Sequence, residues 1–141
     1  MQQKKLNAKQ TSLTSTANVY MSIPVNIDLS SHKRGDLWEG ITAIGPVLIN
    51  GLQPTEALSR VRMHFVKRKD VFTLDSDSIK LPDAPITISN ATTWEVVVPE
   101  VQKFIPTAGI WAWDMEFYSG SNTAPQTFYS GTITVIDDIT K

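Results

Sequence analysis

Residues 108–118 read AGIWAWDMEFY, and this stretch decides the fold. Side chains along a β-strand alternate between its two faces, so the stretch predicts a strand with one large apolar face. The apolar face carries Trp111, Trp113, Met115 and Phe117. The opposite face carries Ala112, Asp114, Glu116 and Tyr118. We expect the first set to anchor a core between two packed sheets, and the second set to meet water or a partner.

Shorter runs with strand character lie on both sides of this stretch, separated by turn-forming residues. The predicted strands span residues 22–29, 36–42, 60–65, 71–74, 86–88, 94–98 and 128–136. Asn50-Gly51 indicates a tight turn. Since no stretch of ten residues has a convincing helical pattern, we predict an all-β protein, a β-sandwich. The sandwich comprises residues 22–141, and residues 1–21 precede it as an extended N-terminal arm.

Composition narrows the possible functions. A chain of 141 residues fits one domain, and a formal net charge of -1 argues against a generic nucleic-acid binder. The longest apolar run covers residues 43–49, whereas a membrane span needs roughly 20 residues. The absence of cysteine excludes disulfides and thiolate metal sites. The first residues lack the apolar stretch of a secretory signal, so we expect synthesis in a cytoplasm and no membrane partner.

The predicted N-terminal arm is cationic, because no acidic residue precedes Asp28. Its candidate partner-binding residues are Lys4, Lys5, Lys9, Leu13 and Tyr20. Such a polar segment cannot bury enough apolar area to offset its ordering entropy when it is alone. Two interpretations stay open: a flexible terminus, or an arm that becomes ordered against a neighbouring subunit.

Two carboxylates, Asp114 and Glu116, share one face of the predicted strand. A carboxylate pair can catalyse glycoside cleavage. However, Arg60 and Arg62 have the same spacing on another predicted strand, and a cross-strand ladder of opposite charges is the favoured interpretation. His32 and His64 are the only histidines, and their spacing suggests neither a metal site nor a catalytic triad. We predict no catalytic residue, no metal and no cofactor.

Three further features have a structural and a functional interpretation. The basic run Lys67, Arg68 and Lys69 follows a strand; we favour a solvated loop and keep a subunit contact as the alternative. Residues 34–36 read RGD, an integrin-recognition tripeptide, but glycine at a turn before a strand explains it. Four tryptophans suggest a sugar-stacking platform, although the alternation around Trp111 and Trp113 favours the core.

Taken in order, these residues resemble a known family. The matching segments are Arg34-Gly35-Asp36-Leu37-Trp38, Asn50-Gly51, Ser59-Arg60-Val61-Arg62-Met63, Ile86-Thr87-Ile88, Trp94-Glu95-Val96-Val97-Val98-Pro99, residues 108–116, Gly131-Thr132-Ile133-Thr134-Val135 and Asp138-Ile139-Thr140. Together they are similar to the small immunoglobulin-like module of tailed bacteriophages, found at the N-terminus of upper baseplate proteins and in stand-alone tail-region proteins. The similarity covers residues 33–140.

This resemblance implies an immunoglobulin-like β-sandwich that serves assembly or attachment in a virion, without catalysis. It implies a location in the tail, baseplate or neck, with other virion proteins and copies of this chain as partners. Some thirty residues precede the module and none follows it. That departure favours a small accessory or connector subunit over a tail fibre. A host-surface or carbohydrate-binding module is the alternative.

Overall fold

Short and long β-strands form the regular structure of this protein in a computed structural model. The model describes residues 25–49, 51–77, 86–120 and 125–137, together with the backbone of residues 17–19. The strands are β1 Ala17–Val19, β2 Val25–Asn26, β3 His32–Lys33, β4 Ile41–Ile44, β5 Val47–Ile49, β6 Leu58–Lys67, β7 Asp70–Asp75, β8 Thr87–Asn90, β9 Glu95–Val98, β10 Gly109–Ser119 and β11 Gln126–Ile136. Across these ranges there is no helix, and hence none long and apolar enough to cross a membrane. The protein is all-β, as predicted.

The larger sheet is built around β10. Its strand order is β2–β11–β10–β6–β7, and β3 also pairs with β11. The pairs β10–β11, β10–β6 and β6–β7 are antiparallel, whereas β2 and β3 both run parallel to β11. The predicted apolar face of β10 is confirmed, because Trp111, Trp113, Met115 and Phe117 are at most 2% exposed.

A smaller sheet of order β4–β9–β8 packs on this face. Its inward side chains, among them Ile41, Ile44 and Val96, are fully buried in the same core cluster. Aromatic contacts join the layers: the Trp38 ring meets Phe65 edge-on at 6.0 Å, and the Trp94 ring stacks on Phe117 at 5.9 Å. The two layers therefore enclose one core, which confirms the prediction of two packed sheets.

Part of the predicted arm belongs to a strand pair. The backbone of β1 runs parallel to β5 and forms a two-stranded sheet with it. The remaining residues of the arm lie outside the described residues.

Two predicted strands are shorter in the structure. The strand expected over residues 36–42 begins at Ile41, because Gly40 has a positive φ of 75° and a Cβ there would lie 2.2 Å from the Val98 carbonyl oxygen. Trp38 instead forms an isolated bridge with Val101. The strand expected over residues 22–29 is reduced to β2 in the described part of that range.

Candidate functional site: the outer face of the larger sheet

Strand register determines what the larger sheet presents on its outer face. The outward side chains of β10 alternate with its buried apolar set, and the register places Asp114 opposite His64 and Glu116 opposite Arg62 on β6. Further along the same strands, Ala112 lies opposite Val66. The outer face therefore has two parts: a charged part toward the C-terminal end of β10, and an apolar part toward its N-terminal end.

The centre of the charged part is a group of four side chains. The Arg62 guanidinium donates to a Glu116 carboxylate oxygen at 3.1 Å. The His64 Nδ1 atom lies 3.4 Å from an Asp114 oxygen and 3.6 Å from the same Glu116 oxygen. The favoured charge ladder is thus confirmed for Arg62 and Glu116, while His64, which the sequence argument left on its own, joins both carboxylates.

The second predicted arginine of the ladder has a different partner. Arg60 makes two hydrogen bonds to the Asp75 carboxylate, of 3.0 and 2.6 Å, and its guanidinium lies 5.2 Å from the centre of the Tyr118 ring. Burial raises the pKa of Asp75, but the hydrogen bonds from Arg60 and from the Asp77 backbone N–H, together with the positive charges of the neighbouring arginines, lower it more, so the net pKa is below its ordinary value. This pair fastens the edge strand β7 to β6.

The apolar part is a continuous patch across three strands. Val71 pairs with Val66, Val66 pairs with Ala112, and Ile110 follows two residues away on the same face as Ala112. Val71 is 59% exposed, Ile110 67% and Val66 37%. Ile136 on β11 is also half exposed. We call Val66, Val71, Ile110 and Ala112 the outer apolar patch; sequence alternation alone did not reveal it, because it depends on which strands pair.

Two shallow depressions adjoin the outer apolar patch. One, of about 430 Å³, includes Val66, Ala112 and Asp114 in its lining. The other, of about 600 Å³, includes Lys67, Arg68 and Ile110. Both are open surface features that share Val66, Ala112 and Thr132. The geometry suits contact with another surface better than enclosure of a small substrate.

Two residues of the predicted basic run, Arg68 and Lys69, form the loop between β6 and β7, and Lys67 is the last residue of β6. Arg68 and Lys69 are exposed there, in line with the solvated-loop interpretation. Lys67 differs, because its ammonium donates to the Ala108 carbonyl at 2.6 Å and lies 5.5 Å from the centre of the Trp111 ring. Lys67 therefore connects the loop to the start of β10, whereas the Arg68 and Lys69 side chains are exposed.

The structure accounts for the RGD tripeptide as a turn. Gly35 has a positive φ of 93°, and the Asp36 N–H donates to the Lys33 carbonyl. Arg34 forms an ion pair with Asp137 at 2.7 Å. The turn interpretation is confirmed.

All four tryptophans are core residues. Trp38, Trp94, Trp111 and Trp113 are between 1% and 3% exposed. The exposed tryptophans that would mark a sugar-stacking platform are therefore not found. The core interpretation is confirmed for Trp111 and Trp113, and Trp38 and Trp94 are buried as well. The remaining predicted partner-binding residues, Lys4, Lys5, Lys9, Leu13 and Tyr20, lie outside the described residues.

The sequence matches no protein-family model, and no curated protein matches it. The described residues define a fold class, an all-β protein of two packed sheets. The outer face of the larger sheet is divided between a charged group and an exposed apolar patch.

Proposed function

We propose that this protein is a non-enzymatic structural component of a bacteriophage virion, in the tail, baseplate or neck, where it mediates subunit assembly or attachment. The observation that carries the proposal is the outer apolar patch. Its exposed aliphatic side chains lie on a flat sheet face, and contiguous exposed apolar surface marks sites of protein–protein contact. The partners in this proposal are other virion proteins and copies of the same chain.

Strand order supports the immunoglobulin-like part of the proposal. An immunoglobulin-like sandwich of the variable type has strands G, F, C and C′ next to one another in one sheet, and strands B, E and D in the other. Here β11–β10–β6–β7 follows the order G–F–C–C′, and β4–β9–β8 follows the order B–E–D. The parallel pairing of β2 and β3 with the last strand adds an N-terminal strand to the larger sheet.

Edge strands supply a second kind of contact. β7 is the last strand of the larger sheet and β8 the last of the smaller one. An edge strand has backbone groups on one side that another chain can pair with. Val71 of the outer apolar patch lies on β7, so a neighbouring subunit that covers the patch also reaches this edge.

The site favours assembly over the two other classes. The carboxylate of Glu116 is held by Arg62, and it lies with Asp114 on a sheet face rather than in a cleft, which does not suit a glycoside-cleaving pair. The burial of all four tryptophans removes the main feature of a carbohydrate-binding module. The alternative of a host-surface glycan module is therefore less well supported.

The test is incorporation into particles. Particles produced from the genome that encodes this chain are purified on a density gradient, and their protein composition is measured by mass spectrometry. We expect the chain to be present in a fixed ratio to the other particle proteins. Particles that lack it, or a genome that produces none, would refute the proposal.

A pair of variants tests the outer apolar patch within the same experiment. Val71→Asp combined with Ile110→Asp places two charges in the patch, at positions exposed enough to leave the core intact. We expect the double variant to fold, as judged by tryptophan fluorescence, and to be lost from particles. Leu52→Asp is the matched control, because Leu52 is 71% exposed but lies outside the patch. Equal incorporation of the double variant and the control would show that the patch is not the contact surface.

A further inference from the structure

We propose that His64, Asp114 and Glu116 form a binding site for a divalent transition-metal ion of the zinc type. One ring nitrogen and two carboxylate groups converge here, with one ligand atom from each residue within 4.8 Å of the others. The proposal is independent of the proposed virion function, since it follows from the geometry of these three side chains alone.

The distances from His64 Nδ1 to the two carboxylates are longer than a charge-assisted hydrogen bond and match the spacing of ligand atoms around a metal ion. A charge-assisted N–H···O bond is typically about 2.7–2.9 Å long. His64 Nδ1 lies 3.4 Å from its Asp114 partner and 3.6 Å from its Glu116 partner. In a tetrahedral zinc site with metal–ligand bonds of about 2.0–2.2 Å, neighbouring ligand atoms are about 3.3–3.6 Å apart. The Asp114 and Glu116 oxygens lie within 4.8 Å of each other, so small side-chain rotations bring all three ligand atoms onto one ion.

The backbone holds the three ligands in place. His64 and Asp114 are directly paired across β6 and β10, and Glu116 follows two residues later on the same face. A register shift between β10 and β11 falls between Met115 and Glu116, and such β-bulges often redirect side chains at functional sites. Arg62 orients the Glu116 carboxylate by its hydrogen bond. A rigid sheet thus reduces the ordering entropy lost on metal binding.

Charge and exposure indicate the kind of ion. Two carboxylates and one arginine leave one negative charge for a cation to neutralise. A mixed set of one imidazole and two carboxylates suits zinc and similar transition metals, whereas Mg²⁺ and Ca²⁺ prefer sites made of oxygen alone. The Asp114 side chain is 43% exposed, so a fourth coordination position faces outward and can take water or a ligand from a neighbouring molecule.

The experiment measures Zn²⁺ binding by the full chain, without an affinity tag and after treatment with chelator. Isothermal titration calorimetry gives stoichiometry and affinity, and titration with Co²⁺ gives the visible absorption of a tetrahedral site. We expect one ion per chain. Asp114→Asn and His64→Gln should each weaken binding by at least about 10- to 100-fold. Asp70→Asn, an exposed carboxylate at the start of β7, is the matched control and should bind as the wild type does.

Several results would overturn the proposal. They are no binding near one equivalent, unchanged affinity in either ligand variant, or displacement of Zn²⁺ by equal concentrations of Mg²⁺, which would indicate a generic acidic surface. The two ligand variants are examined by circular dichroism, and since Asp114→Asn preserves the size of an exposed side chain, it keeps the test valid if His64→Gln perturbs the sheet.

Discussion

Gly131 shows how one missing side chain positions a whole segment. The Ile27 carbonyl lies so close to Gly131 that an added Cβ would be 1.7 Å from its oxygen. That oxygen accepts a hydrogen bond from the buried Trp113 indole at 3.1 Å, and the Ile27 N–H donates to the Ser130 carbonyl. The absence of a side chain at Gly131 thus allows the segment after β2 to lie on β11 and to satisfy a buried tryptophan.

Gly131→Ala should therefore destabilise the fold by about 2–3 kcal/mol, because the added methyl group displaces the Ile27 carbonyl and breaks the indole hydrogen bond. Urea unfolding followed by tryptophan fluorescence measures the effect. Thr134→Ala, at an exposed position on the same strand, is the control and should change the free energy of unfolding by no more than about 1 kcal/mol. A Gly131→Ala cost as small as that of the control would disprove the steric argument.

His32 is a buried titratable residue outside the candidate site. It is 6% exposed, its ring meets Phe104 edge-on, and burial lowers its pKa below the ordinary value of 6.5 despite the opposing effect of Asp36. The unfolded chain therefore binds this proton more tightly than the folded protein does. The contribution to the free energy of unfolding is complete above pH 6.5 and decreases as the pH falls through 6.5 toward the folded-state pKa.

We expect the free energy of unfolding, measured in urea between pH 8 and about pH 5, to decline with falling pH, and to decline less in His32→Gln. The glutamine is uncharged throughout this range, so it removes the protonation of position 32. His64→Gln, which changes the other histidine, should retain the part of the decline that His32 causes. The same pH dependence in His32→Gln and the wild type would show that His32 is not its source.

At the scale of elements, the β6–β7 hairpin has a turn that its sequence does not favour. Lys67 pairs with Asp70, which leaves Arg68 and Lys69 as a two-residue loop, and Arg68 has a φ of 58°. A side chain in this left-handed region costs roughly 1–2 kcal/mol, and glycine is the usual residue at such a loop position. The hairpin forms nonetheless because the Arg60–Asp75 pair and the buried Phe65 hold its strands together.

Arg68→Gly should stabilise the protein by about 0.5–1 kcal/mol, because relief of the backbone strain exceeds the added entropy of glycine in the unfolded chain. Lys69→Gly is the matched control: position 69 does not have a positive φ, so glycine there should destabilise by about 0.5–1 kcal/mol. Thermal unfolding of both variants measures the difference. A lower melting temperature for Arg68→Gly would contradict the strain argument.

A structural feature can be predicted from sequence when it depends on residues that are close together in the chain. Alternation predicted the buried face of β10, since burial on one side of a strand leaves a period of two. Which strands pair with each other leaves no comparable periodic pattern in the sequence. Neither the parallel pairing of β2 with β11 nor the approach of His64 to two carboxylates is visible in sequence, because both depend on the register between segments far apart in the chain.

For the whole molecule, the position of the core side chains determines which segments can be deleted without loss of the fold. The buried hydrophobic residues of the described chain extend from Ile27 to Val135, and residues 2–16 precede even β1. Deleting residues 2–16 therefore removes none of these core side chains. We expect the shortened protein to unfold within about 0.5 kcal/mol of the full chain, because it keeps every core side chain of the described residues.

The same deletion should abolish incorporation into particles if the cationic arm contacts a neighbouring subunit, and particle composition measures this as it does for the outer apolar patch.

Replacing Lys4, Lys5 and Lys9 together by Glu tests whether the arm acts through its charge, because this variant keeps the length of the segment and reverses its attraction for an acidic partner. Loss of incorporation in both variants would assign the contact to the lysines, and loss in the deletion alone would assign it to Leu13 and the polar residues around it. Full occupancy of the shortened protein in purified particles would exclude residues 2–16, with Lys4, Lys5, Lys9 and Leu13, as the contact.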